Sequence, residues 1–415
     1  MTDWSQVRSL PSPPSGEHPT LPARGVRCVR KGSAVNPPAG HRPTWAEIDL
    51  DALARNFQGL CAHVGPGVKV LAVVKADAYG HGAIPVSKRL ESEGADALGV
   101  AIVEEGVELR QAGLRSPILV FGGAFPGQEE MAVKHDLAIV VSTMLMVRRL
   151  DEAAARLRRE ATYHLKLDTG MGRLGVPPED AVRFLTEAKQ FADARLGGVM
   201  SHLSSAEEHD QAFTDLQTAR FERALGQVAA AGIEVPVRHI ANSAAASDRT
   251  DSRYDMVRAG LLLYGIVSSP KGAPFPVAPV MTLKTRISFL KTVPGETPIS
   301  YGRTYVTPGE RTIATLPIGY ADGIQRRLSN KGRVVVRGHS APIVGSVTMD
   351  STLVDVTAVP GVAPGDEVVV FGGHGGNGQG REGQRVSAEE VAQTIGGIPY
   401  EVVCAIGKRV PRVHS

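Results

Sequence analysis

Residues 68–82 read Val-Lys-Val-Leu-Ala-Val-Val-Lys-Ala-Asp-Ala-Tyr-Gly-His-Gly. The apolar run Val68–Ala76 is short and does not alternate strictly, which suits a strand buried on both faces of a parallel sheet. Seven runs of the same kind follow: Ala97–Ala101, Pro117–Gly122, Ala138–Ser142, Thr162–Asp168, Leu196–Ser201, Val237–Ala241 and Met256–Leu262. Amphipathic stretches lie between them, among them Pro85–Glu93, Glu104–Gln111, Met146–Arg159 and Asp180–Phe191. Eight strand-then-helix units in succession point to a (β/α)8 TIM barrel, with an open doubly wound sheet as the alternative.

The texture changes on either side of this region. After about Pro274, strand-like alternation takes over at Met281–Phe289, Arg311–Leu316, Arg333–Arg337, Ile343–Val347, Leu353–Val356 and Glu367–Phe371, punctuated by Pro-Gly pairs. Helical periodicity returns only at Ser387–Ile395, where Ser387 and Glu390 form a capping pattern and Gly396 suits a C-cap. Residues 1–43 hold eight prolines and no periodicity, which predicts a disordered tail. The expected organisation is therefore a tail over 1–43, a barrel over 44–274 and a C-terminal β-rich domain over 275–415.

The chain of 415 residues carries a formal charge of +3, and aromatics are only 5% of it. Six basic and two acidic side chains put +4 of that charge in the tail. The remaining body is near neutral, which argues against a nucleic-acid partner. No apolar stretch is long enough to span a membrane and no secretory signal is visible, so a cytoplasmic location is expected. Cys28, Cys61 and Cys404 have no paired spacing, and no histidine or acidic cluster has ligand spacing, so no metal site is expected.

In a barrel of this kind, polar residues at the C-terminal ends of strands carry the chemistry. Lys75 follows three apolar residues in the first strand. A lysine in an apolar setting has a lowered pKa and suits a Schiff base with an aldehyde cofactor, although it could equally snorkel to the barrel rim. The fifth strand gives His164-Leu165-Lys166-Leu167-Asp168, whose alternation sets His164, Lys166 and Asp168 on one face. The glycines that follow bring Arg173 over the mouth, where it could clamp a carboxylate or a phenolic oxygen. His202 ends the sixth strand, and alone reads as a structural histidine. Asn242 and Ser243 end the seventh, and Arg258 and Gly260 lie in and after the eighth. Ser243 offers a hydroxyl and Gly260 admits an anion close to backbone N–H groups. Arg258, buried in an apolar strand, needs a partner, which a ring nitrogen could supply. Together these groups describe a pyridoxal phosphate site.

The segments AVVKADAYGHG at 72–82, KLDTGMGRLG at 166–175, HIANS at 239–243, VRAG at 257–260 and PISYGRTY at 298–305 occur in this order. In them the chain resembles the alanine racemase family from about Thr44 to Arg412. The resemblance implies that Lys75 carries pyridoxal 5'-phosphate and serves one face of the substrate Cα. Tyr301 would be the base on the other face, reaching the barrel mouth from a second subunit of a homodimer. Tyr79, Ser243, Gly260 and Leu261 would hold the phosphate, with Asn242 beside them. Arg258 would face the pyridine nitrogen, and Arg173 would bond the phenolic oxygen and, with the backbone at Met349, the substrate carboxylate. Lys166 matches a lysine often carried as a carbamate. His202 would link Tyr301 to Arg258 with His239 behind it, and Tyr320 and Asp322 would narrow the approach channel. The implied activity is the interconversion of L- and D-alanine, with D-alanine supplied for peptidoglycan. Lys408 stands where some members have a tyrosine, which leaves room for a wider alanine and serine specificity. Competing readings are a barrel-type amino acid decarboxylase and a non-catalytic cofactor carrier. The carrier proteins lack the β domain and its tyrosine. The glycine-rich run Gly372–Gly383 lacks a P-loop ending and reads as a flexible loop.

Overall fold

The computed structural model describes residues 40–373 and 385–415. Most of the expected tail and of the glycine-rich run 372–383 lies outside them.

Eight parallel strands form one sheet, in spatial order from Arg238–His239 back through Ala194–Met200, Ala161–Lys166, Leu137–Val141, Ile118–Val120, Ala97–Val100 and Lys69–Val73 to Met256–Ala259. The two outer strands meet. Asp255 donates to the Arg238 carbonyl at 3.1 Å and Arg258 to the Ala241 carbonyl at 3.0 Å, which bends the sheet into a barrel. The doubly wound alternative is thereby excluded. All eight runs read from the sequence are these strands, shortened by a few residues at most ends. Val70, Leu71, Leu98, Ile118, Leu119 and Ile139 are buried in them. Each such side chain contributes roughly 1.5–3 kcal/mol on leaving water, which is why the strands are apolar on both faces.

The second unit holds a six-stranded sheet and a three-stranded one. The division expected at Thr44 does not describe its first strand. Thr44–Ile48 pairs antiparallel with Met281–Arg286 and parallel with Arg412–His414, inside the six-stranded sheet. Both ends of the described chain thus lie side by side, and the barrel helices begin only at Leu50–Val64. In the β-rich unit the expected strand Ile343–Val347 is replaced by His339–Pro342, which pairs with Arg333–Val336; Ile343 makes only a single bridge to Val354. The helix Ala388–Ile395 forms as its cap signals predict. The Ser387 hydroxyl accepts from Glu390 N–H and Gly396 takes φ 67°. A second helix, Pro399–Cys404, follows directly and was not expected. It brings the C-terminal segment onto the barrel mouth.

Candidate active site

Directly after Lys75 the chain enters a rare conformation. Ala76, Asp77, Ala78 and Tyr79 have φ of 53°, 55°, 52° and 52°, one left-handed turn built without glycine. Each such residue costs roughly 1–2 kcal/mol, so neighbours must hold the turn. Glu105 does so from the next strand-to-helix junction, accepting from Ala76 N–H at 2.6 Å and Ala101 N–H at 2.7 Å. Asp77 caps the following helix by accepting from Ala83 N–H at 2.7 Å. From the other side the helix Pro399–Cys404 presses on Gly80. A β-carbon there would sit 2.5 Å from the Val403 carbonyl, so only glycine fits this approach.

The turn aims Lys75 and Tyr79 into a cavity of about 440 Å³ at the C-terminal end of the barrel. Lys166, Arg173, His202, Asn242, Ser243, Arg258 and Gly260 line it as well, so nine of the residues singled out in the sequence meet in one place. Lys75 does not snorkel to the rim. Burial lowers the pKa of its amine, and the Arg173 charge lowers it further. Asn242 caps the short helix after the seventh barrel strand by accepting from Ala245 N–H at 3.0 Å, and the Ser243 hydroxyl accepts from Gly260 N–H at 2.8 Å. Leu261 is buried next to Gly260. Here the last two barrel strands bring backbone N–H groups and a hydroxyl to one corner, a cradle for an anion.

Arg258 is buried, and both of its Nη atoms are hydrogen-bonded. Its Nη2 donates to the carbonyls of Ser201 at 2.8 Å and Ile240 at 2.9 Å and to His202 Nδ1 at 3.1 Å. Its Nη1 donates to His239 Nδ1 at 3.1 Å, and His239 Nε2 lies 2.9 Å from His164 Nδ1. Burial, with the Arg258 charge next, keeps all three imidazoles neutral by holding their pKa values far below the usual histidine range. His202 is therefore more than a structural histidine. It lines the cavity and bonds its central arginine.

Lys166 is 4% exposed, and its Nζ has no hydrogen-bond partner. Burial, then Arg258 and Arg173, push its pKa down to about 7. Asp168 does not share its face as strand alternation predicts. The strand ends at Lys166, and the Asp168 carboxylate turns onto the glycine loop, accepting from Gly170 N–H and Gly172 N–H at 3.0 Å. That turn is what carries Arg173 to the mouth.

The residues expected from the β domain lie elsewhere on the same protomer. Tyr301 and Met349 are 75% and 51% exposed and do not line this cavity. They share one surface, because the Ser346 hydroxyl donates to the Tyr301 carbonyl at 2.9 Å and Ser300 donates to the Ser346 carbonyl at 2.7 Å. Tyr320 is exposed close by, its N–H bonded to the Thr348 carbonyl. Asp322 has a different role from the expected one. Its side chain is fully buried, paired with Arg42 and Arg409 and accepting from Gly319 N–H. It fastens the segment before strand Thr44–Ile48 to the one before strand Arg412–His414 rather than lining a channel. Lys408 is exposed and does not reach the cavity.

Four contributors were missed in the sequence: Tyr400, Glu207, Tyr264 and Glu105. Tyr400 lines the cavity from the unexpected helix, its ring 5.8 Å from that of Tyr79. Glu207 faces its hydroxyl at 3.5 Å. Tyr264 stacks on Tyr79 at 5.1 Å and donates to the Val73 carbonyl at 2.9 Å. Only Glu105 had a local signal, standing three residues after Ile102 where a helix begins.

A closed parallel barrel with an amine, an anion cradle and a buried arginine at its C-terminal mouth, joined to a β-rich unit, defines an enzyme of the barrel class with a lysine-centred site. Residues 48–268 match the family "Alanine racemase, N-terminal domain" and residues 280–414 match "Alanine racemase, C-terminal domain". The alanine racemase of Halothermothrix orenii is 46% identical over 375 residues, 90% of this chain and 97% of that protein. The structure of alanine racemase from Clostridium difficile 630 superposes with a TM-score of 0.84 at 37% identity, over 90% of this chain and 96% of that one. The alanine racemase of Bartonella henselae, solved with covalently bound pyridoxal phosphate, superposes at 0.80 with 29% identity, over 90% and 99% of the two chains. The chain belongs to the alanine racemase family.

Proposed function

We propose that this chain interconverts L- and D-alanine with pyridoxal phosphate held on Lys75, and that two copies of the chain complete each site. The observation that carries the reading is the half-buried Lys75 amine, its pKa lowered by burial and by Arg173, beside an anion cradle in one cavity.

The chain's own residues fit that cofactor. Lys75 offers an amine whose pKa burial and Arg173 lower, toward the free base an aldehyde needs. At Gly260 a β-carbon would come 2.8 Å from the Tyr79 hydroxyl, so the corner stays open for phosphate only with glycine there. Arg258 can only donate, and its two Nη atoms are already bound to acceptors around it. A permanent cation opposite the pyridine nitrogen disfavours a second positive charge there. Pyridoxal phosphate, when bound, acidifies the alanine Cα–H by drawing its electron pair into the ring.

Lys75, once released by the substrate amine, takes or returns the Cα proton on one face. Tyr301, contributed by a second copy, does so on the other, which inverts configuration. Its exposure, on a surface it shares with Met349 and Tyr320, suits a residue that completes a neighbour's site. Arg173 holds the substrate carboxylate, and a carbamate on Lys166 supplies the anion that orients Arg173. The product class is a D-amino acid made in the cytoplasm.

Mixing two inactive variants tests the shared site. Lys75→Ala and Tyr301→Phe homodimers should each fail to racemise. Exchanged heterodimers contain one site free of both changes, which restores about a quarter of wild-type activity. No recovery after verified exchange would place both residues in sites built within one protomer.

A further inference from the structure

Arg258 is surrounded by imidazoles whose proton positions are dictated by its chemistry. A guanidinium has five N–H groups and no acceptor. His239 Nδ1, 3.1 Å from Arg258 Nη1, must therefore be the bare nitrogen, and Nε2 must carry the hydrogen. That hydrogen needs an acceptor in a fully buried place. The nearest is His164 Nδ1 at 2.9 Å. The direction of the whole row is then fixed: Arg258 donates to His239, and His239 donates to His164.

The fold sacrifices strand packing to admit the last ring. On the neighbouring strand Ala194–Met200, a β-carbon at Gly198 would clash with the Val237 carbonyl and sit 2.7 Å from His164 Nδ1, and one at Gly197 would sit 2.6 Å from Thr162 Cγ2 and 2.9 Å from His164 Nε2. Two successive glycines in a strand interior weaken it, and such a pair marks a close approach. The register shifts at this point, between Tyr163 and His164. Register, close approach and hydrogen bonding thus meet at one imidazole that does not itself line the cavity.

We propose that His164 is a positioning residue for the cofactor ring, acting through His239 on Arg258. Its Nδ1 accepts the His239 Nε2–H and so holds His239 in the tautomer that presents a lone pair to Arg258. Without that acceptor, His239 can carry its hydrogen on Nδ1, donor meets donor, and Arg258 loses one of its fixed contacts. This inference rests on the pyridoxal phosphate reading above.

The chemical consequence is loss of reaction fidelity. An arginine held opposite the ring nitrogen keeps the returning proton on the alanine Cα. When it shifts, protonation at the cofactor's own carbon competes. The amino group of alanine then ends on the cofactor and its Cα becomes a ketone, so that alanine and pyridoxal phosphate yield pyruvate and pyridoxamine phosphate with no other reactant.

Two variants separate positioning from packing. The side-chain oxygen of H164N occupies the place of Nδ1 and accepts from His239, whereas H164L fills space without accepting. The ¹⁵N shifts of labelled histidines in wild-type holoenzyme should show His239 protonated at Nε2. That state should persist in H164N and be lost in H164L. In H164L, kcat for alanine should fall about tenfold with KM little changed, the equivalent of one charge-assisted hydrogen bond, and pyridoxamine phosphate should accumulate. H164N should restore both. A wild-type His239 protonated at Nδ1 overturns the inference whatever the variants do, including an H164L that does not fold. So does an H164L with wild-type kcat, or an H164N as impaired as H164L with His239 unchanged. If wild-type enzyme does not racemise alanine but His239 is protonated at Nε2, the functional reading fails while the hydrogen-bond order stands.

Discussion

The hydroxyl of Tyr79 lies where a β-carbon on Gly260 would come within 2.8 Å of it. These two residues sit on strand ends adjacent in the barrel, and the space between them is the anion corner of the site. Gly260 has φ −120° and ψ −101°, outside the regions open to residues with a β-carbon, so an alanine there brings backbone strain as well as its methyl. Both act at the anion corner. Gly260→Ala should weaken pyridoxal phosphate binding about ten- to a hundredfold, the cost of overpacking a filled corner. Fluorescence titration of the apoprotein with pyridoxal phosphate measures this, and an unchanged Kd would contradict the phosphate assignment.

Lys166 predicts a pH dependence. Burial pushes the pKa of its amine down to about 7 in the folded protein, against the ordinary lysine value of 10.5 in the unfolded chain. Between these values the unfolded chain binds more protons, so this residue's contribution makes stability rise with pH across that window. Below pH 7 the buried ammonium carries its full desolvation penalty. In buffer freed of carbon dioxide, Lys166→Met apoprotein should exceed wild type by roughly 2 kcal/mol at pH 6, and the advantage should shrink toward pH 10. Urea melts at several pH values test it. A constant difference would show that the burial penalty is not electrostatic.

The same free amine is what a carbamate requires. With ¹³C-bicarbonate above pH 7, wild-type enzyme should show a carbamate resonance that Lys166→Met lacks. Identical spectra would remove Lys166 from the role of anionic support for Arg173.

Asp322 ties two distant segments together, taking Arg42 from before strand Thr44–Ile48 and Arg409 from the C-terminal segment. Asp322→Asn keeps the shape and removes the charge from a fully buried site. The folded protein should lose roughly 1–2 kcal/mol, since the carboxylate is buried but its two arginine partners are partly open to solvent, read as a lowered urea midpoint. An unchanged midpoint would mean the pair contributes nothing net.

Most of the barrel was legible because its strands are apolar on both faces and its functional side chains interrupt that pattern at the C-terminal ends. Lys75, Arg173 and Arg258 stand out for that reason. Residues recruited over long sequence distances left no such mark. Thr44–Ile48 falls within the span 44–274 expected for the barrel until its partners at 281–286 and 412–414 are known. Tyr400 sits on a six-residue helix too short for a periodic signal. The left-handed turn at 76–79 contains no glycine to announce it, because Glu105 and the helix Pro399–Cys404 hold it from outside. Asp168 obeyed its local turn in place of strand alternation.

The central claim is that protons are exchanged on both faces of one alanine Cα, by Lys75 and Tyr301. Holoenzyme incubated with L-alanine in heavy water, with Cα–H loss and the D/L ratio followed together, tests it most directly. The account predicts deuterium at Cα and equal amounts of the two enantiomers at the end. Deuterium incorporated with L configuration retained would show Lys75 at work with no base opposite, and would contradict the role given to Tyr301.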